Sequence, residues 1–176
     1  MLSVRGGEIA NIAMLFERHH VRLFNYYLRS TGDRPLSEDM VQDVFLRIMK
    51  YRNTFRGDGQ FLTWMFSIAR NVQIDAGKRW NRERLIDLDE ETTGEADPVS
   101  TGAVDIRYDA AFLQEALLKL PAAKREAVIL SRFEGLKYSE IAELTGSSVE
   151  NVKVRVHRAI KELRKIFFHL SGEGKQ

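Results

Sequence analysis

Tyr138-Ser-Glu-Ile-Ala-Glu-Leu-Thr-Gly-Ser-Ser-Val-Glu-Asn-Val-Lys-Val-Arg-Val-His-Arg-Ala-Ile-Lys-Glu-Leu-Arg164 reads as a short helix, a tight turn and a long basic helix. Ile141, Ala142 and Leu144 give the first helix an apolar side. Gly146 follows where a left-handed C-terminal residue is needed, and Ser147 or Ser148 is suited to cap the next helix. This is a helix-turn-helix layout. At about 100° per residue, Val149, Val152, Val156, Ile160, Leu163 and Phe167 fall on one stripe of the second helix. The opposite side carries Asn151, Val154, Arg155, His157, Arg158, Lys161 and Lys165. An apolar stripe backed by a cationic, amide-bearing face suits a helix that enters the major groove of DNA. Phosphates attract Arg and Lys there, and base edges accept hydrogen bonds from Arg and Asn. An ordinary solvated helix carries similar charge, so the rest of the chain has to discriminate.

The 176 residues, 44% hydrophobic and 30% charged with three prolines, have the composition of a soluble folded protein of one domain or two small ones. The apolar runs are short and interrupted, and Glu8, Glu17, Arg18 and Arg22 near the start are unlike a signal peptide, so no membrane insertion is expected. Zero cysteines exclude disulfides, thiol nucleophiles and cysteine metal sites, and fit a reducing cytoplasm. The net charge is only +2, so nucleic-acid binding has to come from where charge sits. There is no phosphate-binding glycine loop followed by lysine, no nucleophile elbow and no histidine pair at helical metal-binding spacing. His19 and His20 are adjacent and diverge by about 100° on a helix. Neither a catalytic site nor a metal or cofactor is expected; binding is the better class.

Outward from the basic helix, the spacing of Ile12, Phe16, Leu23, Phe24 and Tyr27 predicts a helix from Glu8 to Ser30, closed by the turn residues from Thr31 to Pro35. Ser37 is expected to cap a second helix running to about Asn53, with Val41, Val44, Phe45 and Ile48 on its apolar side. Leu46 interrupts an otherwise polar face of Asp39, Gln42, Asp43, Arg47 and Lys50; a single exposed leucine is ordinary, but beside two acids and a glutamine it also fits a partner surface. The glycines of Arg56-Gly-Asp-Gly-Gln60 require a loop, and a third helix begins near Phe61. On it Phe61, Leu62, Trp64, Met65, Ile68, Ala69, Val72 and Ala76 gather on one side, and Lys78 to Arg84 adds basic residues around Trp80. Cations interleaved with aromatics beside a loop suit single-stranded nucleic acid, although Phe61 and Trp64 fit a core equally well. From Leu85 to about Tyr108, acids mixed with Thr, Gly, Ser and Pro98 leave no helical stripe and read as a linker. A second helical domain is expected to start near Asp109, with Ala111, Phe112, Ala116, Leu117 and Leu120 on its first helix. Pro121 opens the next helix, which carries Ala127, Val128, Leu130 and Phe133 and ends at Gly135.

Three stretches together carry a family resemblance: Asp39-Met-Val-Gln-Asp-Val-Phe-Leu-Arg-Ile-Met-Lys50; Phe55-Arg-Gly-Asp-Gly-Gln-Phe-Leu-Thr-Trp-Met-Phe-Ser-Ile-Ala-Arg-Asn71; and Leu120-Pro-Ala-Ala-Lys-Arg-Glu-Ala-Val-Ile-Leu130 through to Arg164. In this order around an acidic linker, from about Phe16 to Phe168, they resemble a bacterial RNA polymerase sigma factor of the sigma-70 family, in its extracytoplasmic-function group. The resemblance implies an all-α protein of two small helical domains, the C-terminal one the winged-helix-like helix-turn-helix of sigma region 4. It places region 2 in residues 1–84, the acidic linker in 85–108 and region 4 in 109–176.

It also implies roles. Asp39, Gln42, Asp43 and Leu46 match the surface that binds the clamp helices of the largest catalytic subunit of polymerase core. The loop from Arg56 through Asp58 to Phe61, with Asn71 beside it, matches the pocket for a base flipped from the minus-ten element; Arg70, Lys78, Arg79 and Arg82 match strand-holding positions. Extracting a base costs a few kcal/mol, which a pocket with polar edges and an aromatic wall can offset. Lys153, Val154, His157 and Arg158 correspond to positions that touch bases of the minus-thirty-five element, with Ser148, Asn151 and Arg155 nearer phosphate. His157 departs from the pattern, standing where the family carries an aromatic or another side chain. The implied partners are polymerase core, including the flap of the second-largest subunit, promoter DNA, and an anti-sigma factor that masks the polymerase surface. The expected protein is therefore a non-enzymatic promoter-specificity subunit. Its rivals are a regulator that binds DNA without polymerase and a helical adaptor whose basic helix meets an acidic protein.

Overall fold

A computed structural model describes residues 11–172 except 56, 58, 59 and 87–103, with positions 80–86 and 104–108 described by backbone alone. The helices are α1 (Ile12–Thr31), α2 (Arg34–Tyr51), α3 (Phe61–Ile86), α4 (Val104–Lys119), α5 (Ala122–Val128), α6 (Tyr138–Thr145) and α7 (Val149–Leu170). Among the described residues there is no strand, so the helix-turn-helix is bordered by helices and not by a β-wing. The chain divides into two compact units: Met1–Tyr27 with Asp33–Ala96, and Asp97–Gln176 with the short segment Leu28–Gly32.

In the first unit, the apolar stripes read from the sequence meet. Val41, Val44, Phe45 and Ile48 of α2 are buried, as are Met65, Ile68, Ala69 and Val72 of α3, and α2 packs along α3. Each such side chain larger than Ala69 contributes ~1.5–3 kcal/mol by leaving water. Phe66, which the helical reading of α3 had not placed on the apolar side, is fully buried; its ring meets that of Tyr26 edge-on at 5.2 Å. Tyr26 and Tyr27 of α1 are themselves fully buried, and each satisfies its hydroxyl on α3. Tyr26 donates to Gln73 Oε1 at 3.1 Å and Tyr27 to the carbonyl of Ala69 at 2.9 Å. Burial of a bonded phenol disfavours its anion, and the Tyr27 hydroxyl is held well above its ordinary pKa of 10.0, chiefly by that burial.

The start of α2 corrects the sequence reading. Asp33, and not Ser37, is the N-cap: its Oδ1 accepts from the amide of Leu36 at 2.9 Å. Pro35 sits in the first turn, where its missing N–H costs nothing, so a residue read as part of the preceding turn belongs to the helix. Ser37 is fully buried one turn in and donates to the Asp33 carbonyl. At the other end the helix stops at Tyr51 and a single 3-10 turn, Arg52–Thr54, leads to the buried Phe55.

The second unit is centred on α7, against which α4, α5 and α6 all pack. α4 begins at Val104, earlier than the expected Asp109: no Gly or Pro lies between them, so a helix seeded by the buried Ala116, Leu117 and Leu120 extends backward. Ala111 is exposed. Pro121 is the N-cap of α5 and not its first helical residue. The helix after it does not run unbroken to Gly135; at Ile129–Phe133 it widens into a π-turn, with the amide of Glu134 donating to the Ile129 carbonyl at 3.0 Å. Gly135, at φ 67°, then reverses the chain. On α7 the buried stripe is Val152, Val156 and Ala159, with Ile160, Leu163 and Phe167 half-buried. Val149 is 41% exposed, because as the first helical residue it precedes the turn that packs.

One buried polar group gives this fold a pH dependence. The ring of His19 lies 5.1 Å from that of Phe61, and its Nδ1 is buried with no partner among the described residues. That burial, and next the positive charge of Arg22 and Arg18, lowers its pKa below 6.5. A depressed imidazole pKa means the fold prefers the neutral ring, so its contribution is present above pH 6.5 and is lost as pH falls through the folded value. His19→Phe is expected to flatten the fall in Tm between about pH 7 and 5 relative to wild type; parallel curves for the two proteins contradict this.

Candidate nucleic-acid interface

The placement of α7 is set by the turn before it. Gly146 takes the left-handed conformation at φ 62°, and Ser148 caps α7, its Oγ accepting from the Asn151 amide at 3.2 Å. Before the turn, Glu140 Oε2 accepts from the amide of Lys137 at 2.7 Å and so closes the start of α6. With one side of α7 buried, Asn151, Lys153, Val154, His157, Arg158, Lys161 and Lys165 are exposed and Arg155 is half-buried.

Lys153, Val154, His157 and Arg158 line one open groove, and Lys161 and Arg164 extend it along α7. Ser148, Asn151 and Arg155 lie outside it, on the flanks. Four lining residues had not been read from the sequence: Glu150 and Arg164 on α7, Tyr138 at the start of α6, and Arg132 in the π-turn. The last two are brought there by the fold of α5–α6, which has no local sequence signal. Among the described residues Arg132, Lys153, Arg158, Lys161 and Arg164 make no ion pair, so their charge faces outward.

In the first unit, Asp39, Gln42 and Leu46 are exposed on one face of α2, Leu46 at 62%, with Asp43 beside them half-exposed. This is the acidic face with an apolar centre that the sequence predicts. Its edge is tied to α3: Arg79 donates to Asp43 Oδ2 at 3.5 Å, and Arg47 to Asp75 Oδ2 at 2.8 Å. The bond from Arg47 holds the Asp75 carboxyl below its ordinary range. Asp75 was not singled out in the sequence, and Arg47 was read only as part of the polar face; their pairing across two helices becomes visible only when α2 and α3 are packed.

Beside the loop, Phe61 is half-buried among His19, Phe55 and Trp64, the last two with ring centroids 6.0 Å away. Trp64 donates from Nε1 to Thr54 Oγ1 at 3.2 Å, which fixes the indole against the 3-10 turn. Asn71, Lys78 and Arg79 are exposed on α3 and Arg70 is half-buried. Arg56 and Asp58, with the side chains of Trp80 and Arg82 and the acids of the segment after Ile86, lie outside the described residues. Among the described residues no group of three metal-ligating side chains is assembled, and no helix is long and apolar enough to cross a membrane.

Comparison with known proteins places both units. Residues 15–83 match the model of sigma-70 region 2, and residues 113–163 that of sigma-70, region 4. The RNA polymerase sigma factor CarQ of Myxococcus xanthus is 31% identical over 160 residues, 90% of either chain. The chain belongs to the sigma-70 family of RNA polymerase sigma factors, in its extracytoplasmic-function group. The extracytoplasmic-function sigma factor SigL of Mycobacterium tuberculosis is 30% identical over 93% of this chain and 94% of its own. Among solved structures, the sigma factor RpoE of Bartonella quintana, in complex with the anti-sigma factor NepR, has the same fold: TM-score 0.74 at 24% identity, over 89% of this chain and 96% of that one. CnrH, solved with the cytosolic domain of CnrY, superposes with TM-score 0.69 at 25% identity, over 94% and 92%. As a sigma factor the protein catalyses no reaction; it binds RNA polymerase core and promoter DNA and directs initiation.

The turn that aims this sigma factor's reading helix has measurable energetics. Gly146→Ala forces a side chain into the left-handed region and is expected to cost ~1–2 kcal/mol. Ser148→Ala, which frees the Asn151 amide, is expected to cost about 1 kcal/mol. Urea unfolding of the full chain checks both, and unchanged midpoints contradict the geometry.

Proposed function

We propose that the sigma factor divides its work between the two surfaces described above, with region 2 in residues 1–84, a linker in 85–108 and region 4 in 109–176. Asp39, Gln42, Asp43 and Leu46 bind the clamp helices of the largest polymerase subunit. The observation that carries this is the exposure of Leu46 among carboxylates, an apolar anchor in a ring of acids that a basic helix pair complements. Region 4 rests on the flap of the second-largest subunit.

Arg56, Asp58, Phe61 and Asn71 form the pocket for a flipped minus-ten base, and Arg70, Lys78, Arg79 and Arg82 hold the backbone of the strand. The half-buried Phe61 ring, backed by Phe55 and Trp64, supplies a wall for stacking. Lys153, Val154, His157 and Arg158 read the minus-thirty-five duplex, with Ser148, Asn151 and Arg155 on phosphates. The protein works in the cytoplasm under an anti-sigma factor that covers its polymerase surface, a reading supported by CnrH, whose structure was solved with the cytosolic domain of a partner protein.

The pair Asp43–Arg79 joins two of these roles, since one residue belongs to the polymerase face and the other to the strand-holding face. Leu46→Ala is expected to weaken association with core polymerase at least tenfold while leaving the Tm of the free protein unchanged, and titration of labelled protein with core reads this directly. In duplex competition, Arg158→Ala is expected to alter discrimination at one or two base pairs by ~1–3 kcal/mol, and Lys78→Ala to weaken promoter binding with little sequence dependence. Equal loss of core binding and of duplex discrimination from Leu46→Ala contradicts the division into two surfaces.

A further inference from the structure

Four rings meet at the start of α3. Phe61, the first residue of that helix, has the rings of Phe55 and Trp64 at 6.0 Å and that of His19 at 5.1 Å. Phe55 and Trp64 are near neighbours of Phe61 in the chain, and Trp64 is bonded to Thr54, so these contacts hold Phe61 only against its own stretch of sequence. His19 is different. It comes from α1, and among the described residues it is the ring that ties Phe61 to another helix.

Packing alone does not account for a histidine there. Its Nδ1 is buried with no partner among the described residues, a cost that an apolar ring of similar size avoids. The adjacent His20 shows the ordinary arrangement, with Nδ1 2.8 Å from the Phe16 carbonyl and the ring stacked on Phe16 at 4.7 Å. Because no acceptor stands at Nδ1 of His19, a proton added to that ring has nothing to bond. Among the described residues the charged groups acting on the ring are Arg22 and Arg18 of its own helix, and α2 and α3 bring no carboxylate to offset them. The neutral ring is therefore the form that fits this place, and it is the form present above pH 6.5.

We propose that His19 is a positioning residue of the minus-ten contact: its neutral ring braces Phe61, so that capture of the opened strand weakens in mild acid. A protonated ring gains solvation by moving towards water, which leaves Phe61 without support from α1. This rests on the reading of Phe61 as the stacking wall, and the experiment separates the two. The full chain, assembled with core polymerase, is titrated with a promoter fragment selected by the wild-type protein and carrying a mismatched, pre-opened minus-ten segment. Wild-type, His19→Phe, His19→Ala and Phe61→Ala forms are compared below their unfolding temperatures, so that the pH dependence of core itself is common to all four. Between about pH 7.5 and 5.5, wild-type affinity is expected to fall roughly three- to tenfold more than that of His19→Phe, one proton setting a limit of about tenfold per pH unit. His19→Ala is expected to bind weakly throughout. Parallel profiles for wild type and His19→Phe overturn the proposal. So does a His19→Ala protein that has a lower Tm yet captures the strand like wild type, since His19 then serves packing alone. If Phe61→Ala leaves capture intact, the stacking role of Phe61 fails and that of His19 fails with it.

Discussion

Burial of Val152, Val156 and Ala159 beneath α4, α5 and α6 is the constraint from which the second unit follows. Each valine contributes ~1.5–3 kcal/mol by leaving water, and because the stripe is narrow the remaining surface of α7 has to stay outside. The cationic residues are therefore not placed one by one. They are exposed because the three-residue stripe fixes the rotation of the helix, and the left-handed Gly146 with the Ser148 cap fixes where it starts. A slip of one residue would rotate the helix by about 100° and bury charge.

The first unit solves a different problem with the same means. Tyr26 and Tyr27 fill the space between α1 and α3 and satisfy their hydroxyls there, so a polar atom sits at the bottom of the core without an unpaired group. The outer face of α2 is then free to hold Asp39, Gln42 and Leu46, residues with no part in packing. Arg47–Asp75 and Asp43–Arg79 lie along the seam between that face and the basic side of α3. Exposed pairs of this kind contribute little to stability. Their interest is positional, since Asp43 is shared between a neighbour on its own chain and the polymerase face proposed for it.

Helical periodicity was enough to read the all-α class, the polar face around Leu46 and the reading helix, because apolar stripes and exposed oddities are properties of single helices. The ends of helices were harder. Pro35 looked like a boundary and is part of a first turn, since the Asp33 side chain caps one turn earlier than Ser37 could. The π-turn at Ile129–Phe133 was invisible, because one widened turn barely disturbs an apolar pattern, yet it brings Arg132 to the wall of the groove. Phe66 was missed because α3 is buried on more than one side, so its apolar residues do not form a single stripe. The family was legible from motifs in order, and the matches to regions 2 and 4 agree with it.

In the function proposed above, one chain lends polymerase two separate promoter contacts. Run-off transcription with purified core polymerase over a promoter library tests it most directly. Defined start sites are expected only when the chain is added, from templates that share two elements at a fixed separation. Tight binding of the chain alone to a single palindromic site, with no start-site selection conferred on core, would contradict it.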